Sequence, residues 1–299
     1  MILAAILFGI WPSLSKIVLI DVHPLVIGFL IQLIPGLALS PTLRRVRIAW
    51  PDLKLLLLSS LAGSVMAPIL YLYGLQRTTA SNSVFLSNTE ALFTMLLAYT
   101  ILSERASPRE YLALVGIAIG AFLVTTQLRF GDVRFTDFII GNLMLVAAAA
   151  CWGASNTLST ILLRRVPIGP TAAVQLLIGA VIFTVILPVA GVPLSVPLAV
   201  WPLVVLLSLV AIGGFAILFY YAFRTIGAMR TGAILPTSAF WGILLAIYLF
   251  HDTLSEVQIV GGVLMIAAVV ALYISRRPAE KASEGETLKP AASDGPDSP

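Results

Sequence analysis

The chain has 299 residues, 59% of them hydrophobic and only 11% charged, with a mean hydropathy of +1.02. Soluble domains run at roughly 45–50% apolar and about 25% charged, so a water-soluble fold of this length is excluded. The net charge of +4 is carried by short basic clusters between apolar stretches, with no continuous basic face, which speaks against nucleic acid as a partner.

Windows of about twenty apolar residues, the length that crosses ~30 Å of hydrocarbon, recur along the chain. They fall at 2–20, 24–43, 53–76, 80–102, 109–127, 138–163, 169–190, 199–223, 230–250 and 256–275. The pattern predicts an all-α membrane protein of ten transmembrane helices in a lipid bilayer. Gly and Pro within the windows do not argue against helix here, because neighbouring spans can re-satisfy the freed backbone. The first window has no basic stretch before it and reads as a span, not a cleaved signal. The windows 53–76 and 80–102 are parted only by Arg77 to Thr79. Residues 276–299 are rich in Pro, Ala, Ser and mixed charge and read as a disordered tail. Cys151 is the one cysteine, so neither an intrachain disulfide nor a cysteine-based metal site is expected, and no metal or cofactor is implied.

Laid on alternate sides of ten spans, fourteen of the 18 basic residues share one side, among them Arg44, Arg45, Arg47, Lys54, Arg105, Arg109, Arg164, Arg165, Arg224 and Arg230. The other side takes Arg77, Arg129 and Arg134, while Lys16 stays inside the first window. The positive-inside bias then places both termini in the cytoplasm of a multi-pass protein of the cytoplasmic (inner) membrane.

The two halves of the chain look alike. Phe8-Gly9 corresponds to Trp152-Gly153, and SNTEALFTMLLAYTILSER lies over PTSAFWGILLAIYLFHDT so that Glu104 matches Asp252. Five spans per half place the second copy upside down, giving domains at 1–127 and 128–275 and the tail at 276–299. The arrangement resembles the EamA-type permeases of the drug/metabolite transporter superfamily. The resemblance is carried by Phe8, Gly9 and Lys16, by Trp152-Gly153, by LSER at 102–105, and by Gly116, Gly120, Gly261 and Gly262. Two positions depart from it: Thr160 stands where the second half of such permeases has a lysine, and Asn88-Thr89-Glu90 stands where the fourth helix often has a proline. The resemblance implies a secondary transporter working by alternating access, by preference an exporter.

Of fourteen acidic residues, Glu90 alone lies near the middle of a window. A carboxylate there costs roughly 2.5–3.5 kcal/mol unless it faces a cavity, finds a partner or is protonated. Ser83, Ser87, Glu90 and Thr94 share one helical face, and Thr231, Leu235, Ser238 and Gly242 form the equivalent stripe of the ninth window. Gly9, Ser13 and Lys16 match Gly153, Thr157 and Thr160 in the first and sixth. Four such stripes would enclose one polar cavity at the midplane, and Pro12 is expected to break the first helix beside it.

The expected substrate-binding residues are Glu90, Lys16, Ser83, Ser87, Thr94, Ser13, Trp11, Asn156, Thr157, Ser238, Trp241 and Tyr221, with Glu90 also the proton-coupling candidate. Two readings stand for Glu90: a group that binds substrate or proton, or a buried protonated carboxyl. Two stand for Lys16: an anion ligand or counter-charge to Glu90, or a side chain snorkelling to the surface. Asn82, Asn88, Asn156, Gln32 and Gln175 read at least as readily as interhelical hydrogen bonds as ligand contacts, and Tyr71, Tyr99 and Trp152 as pocket or packing aromatics.

The substrate expected is a small metabolite, an amino acid or an amphipathic drug-like solute, carried by a monomer or homodimer. The alternative is a membrane-embedded lipid-modifying enzyme, but His23 and His251 stand apart without metalloprotease-like spacing and no catalytic residues are assigned. The chain contains no Walker A sequence, so gradients and not direct ATP hydrolysis by this chain would drive transport.

Overall fold

The computed structural model describes residues 1–45, 48–101, 107–128, 136–163, 165–219, 221–222 and 235–275, and the regular secondary structure among them is entirely helical. The LSER helix end with Glu104 and Arg105, the residues Arg47, Arg129, Arg134, Arg164, Arg224, Arg230 and Thr231, and the tail 276–299 lie outside the described residues.

The helices are α1 (Ile2–Val18), α2 (Pro24–Leu39), α3 (Trp50–Arg77), α4 (Ala80–Ser87), α5 (Thr89–Ile101) and α6 (Pro108–Thr126). They continue with α7 (Thr136–Leu162), α8 (Ile168–Val189), α9 (Leu198–Phe219), α10 (Ser238–Phe250) and α11 (Glu256–Ser275). Their starts follow from sequence. Proline opens α2, and the His23 ring nitrogen accepts from the Leu25 N–H at 3.3 Å; Thr79 caps α4 by accepting from Asn82 N–H at 3.1 Å. Two helices begin with the same reciprocal cap. At α6, Ser107 Oγ accepts from Glu110 N–H and the Glu110 carboxylate accepts from Ser107 N–H; at α11, Ser255 and Gln258 repeat both bonds.

Six helical segments among the described residues are long and apolar enough to cross a membrane, and α1, α10 and Glu256–Ala271 are shorter apolar helices. Large apolar side chains such as Leu112, Phe122, Val181 and Val185 are exposed on the outside of the bundle, as a hydrocarbon surround favours. With lipid outside and apolar side chains inside, close approach of backbones and interhelical hydrogen bonds decide which helices pair. Thus α6 packs on α11, α2 on α8, α1 on α10, and α7 on both α3 and α5. At Gly9 a Cβ would run into the Ser238 carbonyl and Trp241 of α10, and at Gly153 one would lie 2.8 Å from Thr94 N of α5.

The helix breaks differ from expectation. Pro12 lies within α1, which runs on unbroken through it. The interruption falls instead at Asn88, between α4 and α5 in the window 80–102. There Ser87 donates to Ser83 C=O, Asn88 Nδ2 to the Val84 and Phe85 carbonyls, and Thr89 to Leu86 C=O, so side chains take over backbone acceptors of the last turn of α4. Two π-helical stretches add further irregularity, Leu61–Met66 within α3 and Leu207–Gly214 within α9.

Candidate functional site

The irregular stretches meet at a cavity of about 170 Å³. Its wall takes Phe8, Trp11 and Pro12 from α1, Gly63, Ser64 and Tyr71 from α3, and Ser87 and Glu90 from either side of the Asn88 break. Trp152, Ser155 and Asn156 of α7, Gln175 of α8, Phe215 and Phe219 of α9, and Ser238 at the start of α10 complete it, with Gln32 of α2. The paired helices α6 and α11 contribute nothing to the wall among the described residues.

Glu90 is half-buried, and Asn156 Nδ2 donates a hydrogen bond to its Oε1; no other hydrogen bond to this carboxylate occurs among the described residues. Beside it three rings pack together: Trp11 edge to face on Tyr71 at 5.4 Å and on Trp152 at 6.2 Å, and Tyr71 tilted against Trp152 at 5.3 Å between centroids. Trp152 spends its N–H on the Gly63 carbonyl at 3.2 Å, inside the first π-helical stretch. Gln175 is also satisfied, donating to Ser59 and Ser159, both at 2.8 Å. Three other polar wall groups are not. The Trp11 N–H, the Tyr71 hydroxyl and the Gln32 amide oxygen are buried and lack a hydrogen-bond partner among the described residues, although Ser83 and Trp11 lie beside the Tyr71 hydroxyl. Buried polar atoms are rarely left so unless something else completes them.

The expected site residues separate into four groups. Trp11, Ser87, Glu90, Asn156 and Ser238 line the cavity. Ser13 and Ser83 are fully buried behind its wall, Ser83 donating to Ala80 C=O at 2.7 Å. Thr94 and Thr157 lie in the seam between α5 and α7, where the Thr157 hydroxyl donates to Gly153 C=O at 2.9 Å. Trp241 faces an open apolar groove together with Phe85, Phe240 and Ile259, and Tyr221 is 63% exposed.

Lys16 makes no ion pair with Glu90, contrary to one of its two expected roles. At the far end of α1 its ammonium donates to Thr78 C=O, sits 5.8 Å from the Phe250 ring centre and feels the Asp252 carboxylate. Asp252 in turn accepts from Ser81 N–H at 3.1 Å and from its hydroxyl at 3.0 Å. Next to this cluster is a closed polar network. Thr78 Oγ1 donates to Asn142 Oδ1 at 2.6 Å, Asn82 Nδ2 to both of them, Asn142 Nδ2 to Thr125 C=O, and Gln258 Nε2 to Asn82 Oδ1 at 2.6 Å. These hydrogen bonds tie α4, α6, α7 and α11 together on the side of the cavity away from the N-terminus of α1.

Sequence reasoning named Gln32, Tyr71 and Trp152 without committing them to the site, and it gave no sign of Gly63, Ser64, Phe215 or Phe219. The only signal for the latter is that Gly63 is a glycine within an apolar helix and that Ser64, Phe215 and Phe219 lie within five residues of one.

Known proteins resemble the chain along its length. The EamA-like transporter family matches residues 1–126 and, a second time, residues 139–274. An uncharacterized transporter of Methanothermobacter thermautotrophicus is 32% identical over 289 residues, covering 91% of this chain and 84% of its own. The uncharacterized transporter YyaM of Bacillus subtilis is 23% identical, over 67% of each chain. A protein of known crystal structure, 18% identical, superposes with a TM-score of 0.64 over 93% of this chain and 96% of its own, which supports the fold.

Proposed function

The chain belongs to the EamA-like transporter family of the drug/metabolite transporter superfamily, and from that premise we propose that it is a secondary transporter moving a small metabolite by alternating access around the Glu90 cavity. The observation that carries this reading is a hollow of about 170 Å³ beside a mid-span carboxylate, walled by helices from both halves of the chain.

Two inverted five-helix halves, 1–127 and 128–275, are the architecture this mechanism needs. In their favour are the double family match, the repeated caps at Ser107/Glu110 and Ser255/Gln258, and the paired seams of Gly9 on α10 and Gly153 on α5. The π-helical stretches fall at corresponding places in α3 and α9. On this reading there are ten spans, α4 and α5 together forming one, with both termini in the cytoplasm of the inner membrane.

The cavity wall is drawn from Phe8 and Trp11 of α1 and from Leu235 and Ser238 at the start of α10, so it lies toward the end where the chain begins. The Thr78, Asn82, Asn142 and Gln258 network closes the opposite end. On this reading the conformation faces the cytoplasm and is shut on the outside. Rocking of the halves would break that network and re-form contacts at the cytoplasmic end, releasing solute outward, the direction of export. Glu90 is the group that carries substrate, a proton, or each in turn. A cavity of about 170 Å³ falls below the ~300–1,000 Å³ typical of drug-sized ligand sites, which favours a small metabolite.

The test is uptake into proteoliposomes across a panel of small amines, amino acids, nucleobases and organic acids, with and without an imposed pH gradient. Solute movement that saturates and is lost in Glu90→Gln supports the carrier reading. Normal, proton-sensitive transport by Glu90→Gln would remove Glu90 from it.

A further inference from the structure

We propose that the solute is a small organic cation, a protonated amine attached to an aromatic or aliphatic body and carrying no carboxylate of its own. The inference rests on the carrier reading of the same cavity and adds the charge and shape of what fits.

Charge comes first. Glu90 is the one carboxylate in the wall, and no lysine, arginine or histidine lines it among the described residues. Lys16, the cation nearest in sequence on α1, is engaged elsewhere by the Thr78 carbonyl and Asp252. Asn156 supplies a single neutral hydrogen bond, so a carboxylate at Glu90 keeps an unbalanced negative charge at the wall of the hollow. Such a charge is expensive until a cation meets it. A ligand ammonium completes it, and a ligand carboxylate would add a second uncompensated charge to the same hollow.

Shape follows from the rings. Trp11, Tyr71 and Trp152 pack together with centroids 5.3–6.2 Å apart, and Phe215 and Phe219 form another ring pair at 5.1 Å. Ring faces attract cations and pack against flat apolar bodies. Three buried polar groups on wall residues lack a hydrogen-bond partner among the described residues: the Trp11 N–H, the Tyr71 hydroxyl, beside which Ser83 and Trp11 lie, and the Gln32 amide oxygen, on residues that are 9%, 1% and 4% exposed. The hydroxyl and the amide oxygen can accept from the remaining ammonium hydrogens, and the Trp11 N–H can serve a hydroxyl on the ligand body. Glu90 sets the charge, while these groups orient the molecule.

The experiment uses one body with four arrangements of charge, cationic, neutral, anionic and zwitterionic: 2-phenylethylamine, 2-phenylethanol, 3-phenylpropionate and phenylalanine. Binding to the full-length purified protein is read by intrinsic tryptophan fluorescence, since Trp11 and Trp152 line the cavity, and transport is read by counterflow in proteoliposomes. The expected result is that the amine binds at least about tenfold more tightly than the other three and is the one carried. Glu90→Gln should erase this preference, and Glu90→Asp should retain it in weaker form, each variant keeping a cooperative thermal transition. If phenylalanine, the alcohol or the acid binds as well as the amine or better, the charge assignment is overturned while the carrier reading stands. If a folded protein carries none of the four and no member of the wider panel, both fall together. Should Glu90→Gln not fold, Trp11→Phe and Gln32→Leu give the second measurement. Loss of amine affinity in these upholds the site, and unchanged affinity in both overturns it.

Discussion

Asn156 of α7 hydrogen-bonds the Glu90 carboxylate of α5, two side chains 66 positions apart that the sequence places on different repeats. The contact is made at the seam where Gly153 lets α7 come within 2.8 Å, measured from its would-be Cβ, of the α5 backbone. Small residue and polar pair are therefore parts of one arrangement: the first sets the distance, the second uses it.

Replacing Asn156 by leucine keeps the volume and removes the donor. Because Glu90 faces a cavity and is not sealed in hydrocarbon, water can take the lost place. Stability should fall by only about 1 kcal/mol. Transport should fall further, by about tenfold or more, since the carboxylate loses its fixed orientation. Thermal unfolding in detergent and initial uptake rates measured on the same preparation check the two halves of this expectation; equal rates in variant and parent would show that the hydrogen bond does not position Glu90.

Gly153→Ala tests the seam itself. A methyl group there meets Phe93 Cβ and Thr94 N, both at 2.8 Å, and backbone cannot step aside cheaply. The expected destabilisation is about 1–3 kcal/mol, the range for overpacking. Gly9→Ala should behave alike, because its methyl would press on the Ser238 carbonyl of α10. A denaturation series that ranks either variant with the parent would mean that the helices are free to separate there.

Asn88→Leu asks whether the break between α4 and α5 matters. Without the amide the Val84 and Phe85 carbonyls lose their side-chain donor, and leucine favours a continuous helix. Healing the break would turn Ser87 and Glu90 relative to one another, as both reach the cavity from opposite sides of residue 88. The variant is expected to fold with parental or higher thermal stability and to lose transport. Parental uptake together with raised stability would make the interruption incidental.

What could be read from sequence divides along physical lines. Helix positions were legible because a bilayer demands long apolar stretches, and polar punctuation such as His23-Pro24, Thr79 and Ser107-Pro108 marks their starts. Glu90 was legible because a mid-span charge is costly in any environment. Rotation about each helix axis was not. Both lipid and protein interior are apolar, so Trp241 and Tyr221 give the same pattern whether they face the cavity or the outside, and they face the groove and the surface. The expected stripe of Ser83, Ser87, Glu90 and Thr94 assumed one continuous helix. The Asn88 break divides it, leaving Ser87 and Glu90 in the wall and Ser83 and Thr94 out of it. Gln32 and Gln175 look identical in sequence, and only their neighbours distinguish them: Gln175 meets Ser59 and Ser159, whereas the Gln32 oxygen finds no hydrogen-bond partner among the described residues.

The last prediction concerns the closed end. Asn82, Asn142 and Gln258 are buried and bonded to one another, so truncating one leaves the others short of partners in a medium that cannot supply them. If this network holds the protein shut on one side, weakening it shifts the population toward the opposite-facing state. A population shift of tenfold needs about 1.4 kcal/mol, within reach of one lost buried hydrogen bond and its stranded partner. Accessibility gives the readout. In a Cys151→Ser background, Ser155→Cys places a thiol in the cavity wall, where a membrane-impermeant maleimide should label it from the side on which α1 begins. Adding Gln258→Leu should raise labelling from the opposite side by roughly tenfold and lower it from the first. Labelling that keeps its sidedness despite a measurable loss of stability would mean that the network braces the bundle without gating it, and the closed end would have to be sought in the packing of α1 and α10 around Phe250 and Lys16.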